Sequence, residues 1–267
     1  MSVTVGIVGG GGWLGSAIAE KGLGAGVLNA SSLVVSSRSP RGDRLAPWPE
    51  VTWTSDNAEL ARRSEIVILS VRPEQFGQLE LDLQDRLVVS VMAGISMATL
   101  HRTTRSDRIV RAMPNAAAEI GRSYTPWFAS PRVVEADRLF VAALFSSCGE
   151  HDEVESEQQL DYLSGLSGTG PAYPALLANA MLDHARRAGI AEQVAIKAVR
   201  AVICGATLLM DNDAFDPAGI VEAFAAYRGV TAAGLAAMIE SGLPESVGAG
   251  LSAAAAATAT MAKAYDA

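Results

Sequence analysis

The chain has 267 residues, 49% of them hydrophobic and 19% charged, a balance that fills the core of one or two globular domains and excludes a disordered chain. Its net charge of −8 argues against a nucleic-acid surface, which needs a basic stripe, but leaves room for a local basic pocket holding a small anion. No charge-free apolar run reaches the ~18 residues of a membrane span, and the chain starts as a strand and not as a secretion signal, so a cytoplasmic protein without membrane or nucleic-acid partners is expected.

In chain order, the apolar run Val3–Val8 leads into Gly9-Gly10-Gly11-Gly12-Trp13-Leu14-Gly15 and a helical pattern over Gly15–Gly24. Leu33–Ser37, Ile66–Val71, Leu87–Met92 and Ile109–Met113 are further continuous apolar runs, as strands covered on both faces of a parallel sheet require. Asn57–Arg63 and Met97–Arg102 read as crossover helices between them, which predicts a doubly wound α/β domain over residues 1–154. From residue 155 to 267 no strand-like run survives. Apolar residues at helical spacing predict helices over Ala172–Ala188, Glu192–Met210, Pro217–Ala226, Val230–Glu240 and Glu245–Ala264. The alanine-rich stretch Leu251–Ala259 predicts close backbone packing, and the helical domain is expected to form the centre of a homodimer at least. Cys148 and Cys204 read as reduced thiols. His101, His151 and His184 have no ligand-spaced partners in sequence, so no metal is expected.

The glycine run has a mechanism. Gly10, Gly12 and Gly15 fit G-x-G-x-x-G between a strand and a helix, where glycines permit a tight turn, backbone approach to a pyrophosphate and close helix packing. The N–H groups of Gly9–Gly15 then face the phosphates at the helix start; the alternative is a tight turn without ligand. The second strand ends in Ser36, Ser37 and Arg38, with Arg41 beyond and no acid before Asp43. Hydroxyls and a guanidinium suit a 2′-phosphate, so NADP is favoured over NAD, the alternative being a solvated polar loop.

Four later segments, Ile68-Leu-Ser-Val-Arg-Pro73, Ser90-Val-Met-Ala-Gly-Ile95, Arg111-Ala-Met-Pro-Asn115 and Leu166-Ser-Gly-Thr-Gly-Pro-Ala-Tyr173, resemble in order and spacing segments of the pyrroline-5-carboxylate reductases, which reduce a cyclic imine carboxylate to proline with NAD(P)H. The resemblance covers nearly the whole chain and implies a Rossmann-type domain followed by an all-helical dimerisation domain. It departs at the substrate loop, where the family's S-P-G-G-T-T is Ala226-Tyr-Arg-Gly-Val-Thr231; in addition, a usual glutamate is Asn179. The glycine loop is one residue longer than the family's, leaving Gly9 or Gly10 as its first glycine.

Imine reduction needs a hydride donor, a polarised C=N and groups that hold the substrate carboxylate, with the protein supplying orientation and electrostatics. By the resemblance, Thr231 is the hydrogen-bond partner or proton relay at the imine nitrogen, and Gly229 and Val230 donate N–H groups to the carboxylate. Thr231 as a helix N-cap is equally compatible. Arg228 can pair with a carboxylate and Tyr227 can wall one face of a ring; the bland alternative is an exposed loop. Asn57, Val71, Arg72 and Pro73 match positions on the adenosine or ribose side of the cofactor, and Ala93, Gly94 and Asn115 match positions near the nicotinamide. Rivals are an imine reductase with another substrate, a β-hydroxyacid dehydrogenase and a non-catalytic NADP sensor. The dehydrogenase is disfavoured because the helix after Gly170 carries no lysine.

Overall fold

The structure, a computed structural model, describes residues 3–38, 41–79, 81–212 and 214–266. Alternating strands and helices open the chain: β1 (Val5–Val8), α1 (Trp13–Gly24), β2 (Leu33–Ser36), β3 (Thr52–Thr54), α2 (Asn57–Arg63), β4 (Ile66–Leu69), α3 (Pro73–Phe76), β5 (Leu87–Ser90), α4 (Met97–Thr104) and β6 (Arg108–Ala112). Then come β7 (Ser123–Ala129), α5 (Glu135–Ser146), β8 (Gly149–Glu153) and α6 (Glu157–Leu166). The remainder is helical: α7 (Ala172–Arg187), α8 (Glu192–Arg200), which runs on as irregular helical turns to Met210, α9 (Pro217–Ala226), α10 (Val230–Glu240) and α11 (Leu243–Asp266).

One sheet orders its strands β3-β2-β1-β4-β5-β6-β7-β8. The first six are parallel, and β7 turns antiparallel to β6. Period-2 alternation sends Ile7, Val35, Ile68 and Val89 to a core shared with Ile18 of α1 and Phe145 of α5. Val8, Val34, Val67 and Val88 face a second core with Leu60 of α2, Phe76 of α3 and Leu100 of α4. Both faces are thus buried, which is why these strands read as unbroken apolar runs.

The chain forms two compact units, Met1–Gly170 with Ser252–Ala267, and Pro171–Leu251. Helix α6, which the sequence reading places beyond residue 155, belongs to the first unit: Glu157 and Asp161 pair with the buried Arg111 of β6. In the second unit, only Ala195 and Val199 are buried among the described residues. Leu176, Leu209 and Phe224 are among its large apolar side chains left exposed. Among the described residues, Glu192–Met210 is the one helical stretch long and apolar enough to cross a membrane, but it carries Glu192, Lys197 and Arg200.

Cys148 is fully buried, and burial pushes its thiol above the usual range, against smaller opposing effects of the Ser147 hydrogen bond and Lys21. A raised thiol pKa leaves less thiolate at neutral pH. Cys148 is therefore expected to resist a disulfide reagent in the native protein and to react once denaturant is added, as thiol titration in both states would show.

Candidate functional site

The loop after β1 is shaped by glycines at two points. Gly9 has φ +78°, and a Cβ there would lie 2.5 Å from the carbonyl oxygen of Ser70 at the end of β4. A Cβ on Gly15 would lie 2.9 Å from both Gly10 Cα and Gly9 O, so α1 can approach the strand end only without one. Gly9 therefore takes the tight-turn role that the sequence left open between Gly9 and Gly10; a Cβ on Gly10 would point at Val35 and Ile7, into the core. The Gly9 and Gly10 N–H groups both donate to Ser36 O at 3.1 Å, and Gly12 N–H donates to Gly9 O at 2.9 Å. Among the described residues no side chain caps α1. Among the described residues, the N–H groups of Gly11, Trp13 and Leu14 meet no acceptor.

Strand β1 lies between β2 and β4, where the strand order reverses, the place where open α/β sheets bind ligands. A cleft of about 620 Å³ opens there. Its wall combines Gly9, Gly11 and Gly12 with Ser36, Ser37 and Arg38 from the end of β2, Asn57 from α2, and Ser70, Val71 and Arg72 beyond β4. Ser36 Oγ donates to Asn57 Oδ1 at 2.6 Å. Arg38 is exposed, and its guanidinium has no partner among the described residues. Arg41 is committed elsewhere: it donates to the carbonyls of Leu45 and Trp48 at 2.8 and 2.7 Å, and lies 5.9 Å over the Trp53 ring. The donor set, bare N–H groups at a helix start flanked by hydroxyls and the exposed Arg38 guanidinium, fits a phosphorylated dinucleotide.

Trp13, half exposed, donates its indole N–H to Glu119 at 2.5 Å. Glu119 also pairs with Arg44, which reaches Glu20 at 2.9 Å, tying the segment after β2 to α1. Ser55, Ser70, Gln75 and Gln78 line the cleft without having been singled out by sequence. Ser70 follows β4 just as Ser37 follows β2, a signal available from strand ends alone.

Pro73 starts α3 and does not line the cleft. Neither do Ala93, Gly94 and Asn115, which follow β5 and β6. Gly94 has φ +68°, and a Cβ there would lie 2.7 Å from Met261 Cβ of α11. Asn115 accepts from Ala117 N–H at 2.9 Å and donates Nδ2–H to Ser167 O at 2.9 Å.

The second unit holds Asn179, Tyr227, Arg228, Gly229, Val230 and Thr231. Helix α10 begins at Val230 with Gly229 as its N-cap, so Thr231 sits inside the first turn and is not the cap. Tyr227 and Val230 are almost fully exposed, and Arg228 has φ +48°. Asn179 donates to Asp183 at 3.1 Å. His101 meets Asp107 at 3.2 Å near the N-terminal end of β6, the opposite strand end from the cleft. Among the described residues no His, Cys, Asp or Glu group is arranged to hold a metal.

Residues 157–261 match a family model described as pyrroline-5-carboxylate reductase dimerisation, and residues 4–94 match one described as NADP oxidoreductase, coenzyme F420-dependent. The pyrroline-5-carboxylate reductase of Synechocystis is 31% identical over 253 residues, covering 92% of this chain and 94% of the relative. That of Thermus thermophilus is 32% identical over 231 residues, covering 85% and 87%. Among solved structures, a Plasmodium falciparum pyrroline carboxylate reductase with NADP bound superposes with a TM-score of 0.84 at 23% identity, covering 98% of each chain.

Proposed function

Because the chain belongs to the pyrroline-5-carboxylate reductase family, we propose that it reduces a cyclic imine carboxylate, pyrroline-5-carboxylate or a close analogue, with NADPH. The observation that carries the reading is the glycine-lined cleft at the switch point with Ser36, Ser37 and Arg38 at its β2 side, supported by similarity over most of the chain to reductases of that name. NADPH supplies the hydride. Gly11, Trp13 and Leu14 offer their N–H groups to the pyrophosphate, and Ser37 and Arg38 take the 2′-phosphate. Asn57, Val71 and Arg72 border the adenosine and ribose side, while Ala93, Gly94 and Asn115 border the nicotinamide. The N–H groups of Gly229 and Val230 hold the substrate carboxylate, assisted by Arg228. Tyr227 walls the ring, Asn179 faces the substrate side, and the Thr231 hydroxyl hydrogen-bonds the imine nitrogen or relays its proton.

An exposed apolar surface of this extent needs cover. We assign that cover to a second copy of the chain meeting α7–α10, a homodimer or larger closed assembly in the cytoplasm, and not to a bilayer. The altered Ala226–Thr231 loop also favours a second reading, in which the same chemistry serves another imine.

Loss of NADPH absorbance with pyrroline-5-carboxylate beside a panel of cyclic imines tests both readings. Fast turnover of the five-membered substrate supports proline formation; fast turnover of another imine alone supports the second reading; none with any imine removes the catalytic reading. Arg38→Ala is expected to raise the KM for NADPH about tenfold or more while leaving NADH nearly unchanged, since a charged hydrogen bond to phosphate is lost. Equal effects on both cofactors would show that Arg38 does not read the 2′-phosphate.

A further inference from the structure

The reacting half of a dinucleotide lies beyond the cleft described above. Such a ligand spans the C-terminal strand edge across the switch point. With its phosphorylated adenosine at Ser36–Arg38 on the β2 side, the nicotinamide extends toward β4, β5 and β6. There two loops emerge, residues 91–96 after β5 and 113–115 after β6.

Helix α6 holds both loops. Glu157 in its first turn accepts the Met97 N–H at 2.8 Å, at the far end of the β5 loop, and the same oxygen pairs with Arg111. Asp161, one turn on, takes the other guanidinium nitrogen at 2.9 Å. At the opposite end of the helix, the C-cap carbonyl of Ser167 accepts Asn115 Nδ2–H at 2.9 Å. Arg111 stands on β6 two residues before the second loop, its side chain 3% exposed.

Stability alone does not explain this joint. A buried guanidinium with two carboxylates is no better for a core than well-packed apolar residues of similar volume. Arg111 Nε is moreover buried without a partner among the described residues, a further cost. What the charged joint supplies, and an apolar one lacks, is fixed geometry, since one arm of the guanidinium shares the Glu157 oxygen with the N–H of Met97 while the other arm is held by Asp161.

We infer that Arg111 and Glu157 are positioning residues for hydride transfer: through α6 they fix the loops after β5 and β6 against the nicotinamide ring. The inference rests on the NADPH-reductase reading above.

The test compares wild-type full-length protein with Glu157→Ala, Glu157→Gln and Asp161→Asn, using the fluorescence of bound NADPH for affinity and nicotinamide environment, and turnover for rate. The NADPH Kd is expected to stay within about twofold throughout, because the phosphate cradle is untouched. In Glu157→Ala, kcat is expected to fall about 10- to 100-fold, with little change in imine KM and with loss of the bound-nicotinamide emission change. Glu157→Gln, whose amide oxygen still accepts the Met97 N–H, is expected to recover most of both. Unchanged kcat and emission in folded Glu157→Ala, or no rescue by glutamine, overturns the inference. Should Glu157→Ala not fold, Asp161→Asn decides: a kcat loss of about threefold or more at unchanged NADPH affinity supports the inference, and an unchanged kcat overturns it. A wild type that binds no NADPH removes the reductase reading itself, and the inference with it. A wild type that binds and turns over NADPH, with a folded Glu157→Ala that matches it in kcat and in bound-nicotinamide emission, removes the inference alone.

Discussion

Gly9→Ala is expected to raise the Kd for NADPH at least ~100-fold and to lower stability by about 2–4 kcal/mol. Two causes add. An L-residue at φ +78° is held in the left-handed region at a cost of about 1–2 kcal/mol. Its Cβ would also stand 2.5 Å from Ser70 O and 2.9 Å from Ser70 C, backbone atoms that cannot rotate away. Relief requires parting the ends of β1 and β4, and that junction is the floor of the cleft. Gly24→Ala is the control, because nothing lies within 4 Å of a Cβ there and its φ is ordinary; stability should hold or rise by about 0.4–1 kcal/mol with NADPH binding intact. Calorimetric titration with NADPH and thermal unfolding measure both effects. Gly9→Ala that binds NADPH like wild type would show the glycine run to be a turn and no phosphate cradle.

The same geometry explains what the sequence discloses. The strands at the switch point are legible because each is buried on both faces, so that alternation vanishes into a run such as Ile66–Leu69. Strands β3, β7 and β8 are not legible. Thr52–Thr54 is only three residues long and half-buried, β7 carries Pro126 in its interior, and β8 is the polar edge segment Gly-Glu-His-Asp-Glu, which keeps a sheet edge from pairing further. Helix α6 looks polar because its inward-facing residues include Glu157 and Asp161, whose partner on β6 lies 50 residues or fewer away in sequence but is invisible to any local pattern.

For the site, the G-x-G-x-x-G template finds the loop but leaves its first glycine open between Gly9 and Gly10. The positive φ lies at Gly9, and spacing alone cannot reveal which carbonyl a Cβ would strike. Ser36, Ser37 and Arg38 were legible because position at a strand end determines what can face the cleft, and Asn57 was legible through the family resemblance. Arg41, an equally plausible phosphate ligand by sequence, is withdrawn by contacts with Leu45, Trp48 and Trp53 that only the folded loop creates.

Arg228→Gly is expected to separate stability from function in opposite directions. Arg228 occupies φ +48° between α9 and α10, where a non-glycine residue is strained by about 1–2 kcal/mol. Glycine removes that strain and gives back part of it as unfolded-chain entropy, leaving a gain of about 0.5–1 kcal/mol. A position that stores strain while its guanidinium is exposed and without a partner among the described residues suggests a use for the side chain. If that use is the substrate carboxylate, its charge-assisted hydrogen bonds contribute about 1.5–3 kcal/mol, so the KM for an imine carboxylate should rise about 10- to 100-fold. The KM for the same ring without its carboxylate should be unchanged, and so should the NADPH Kd. Comparing both imines on Arg228→Gly and Arg228→Lys, with melting temperatures alongside, isolates the contact. Lysine should retain part of the carboxylate preference as a point charge without the planar fork. A more stable glycine variant with an unaltered KM for the carboxylate would leave Arg228 a strained loop residue with no part in substrate recognition, and carboxylate binding would then fall to the N–H groups of Gly229 and Val230 at the start of α10.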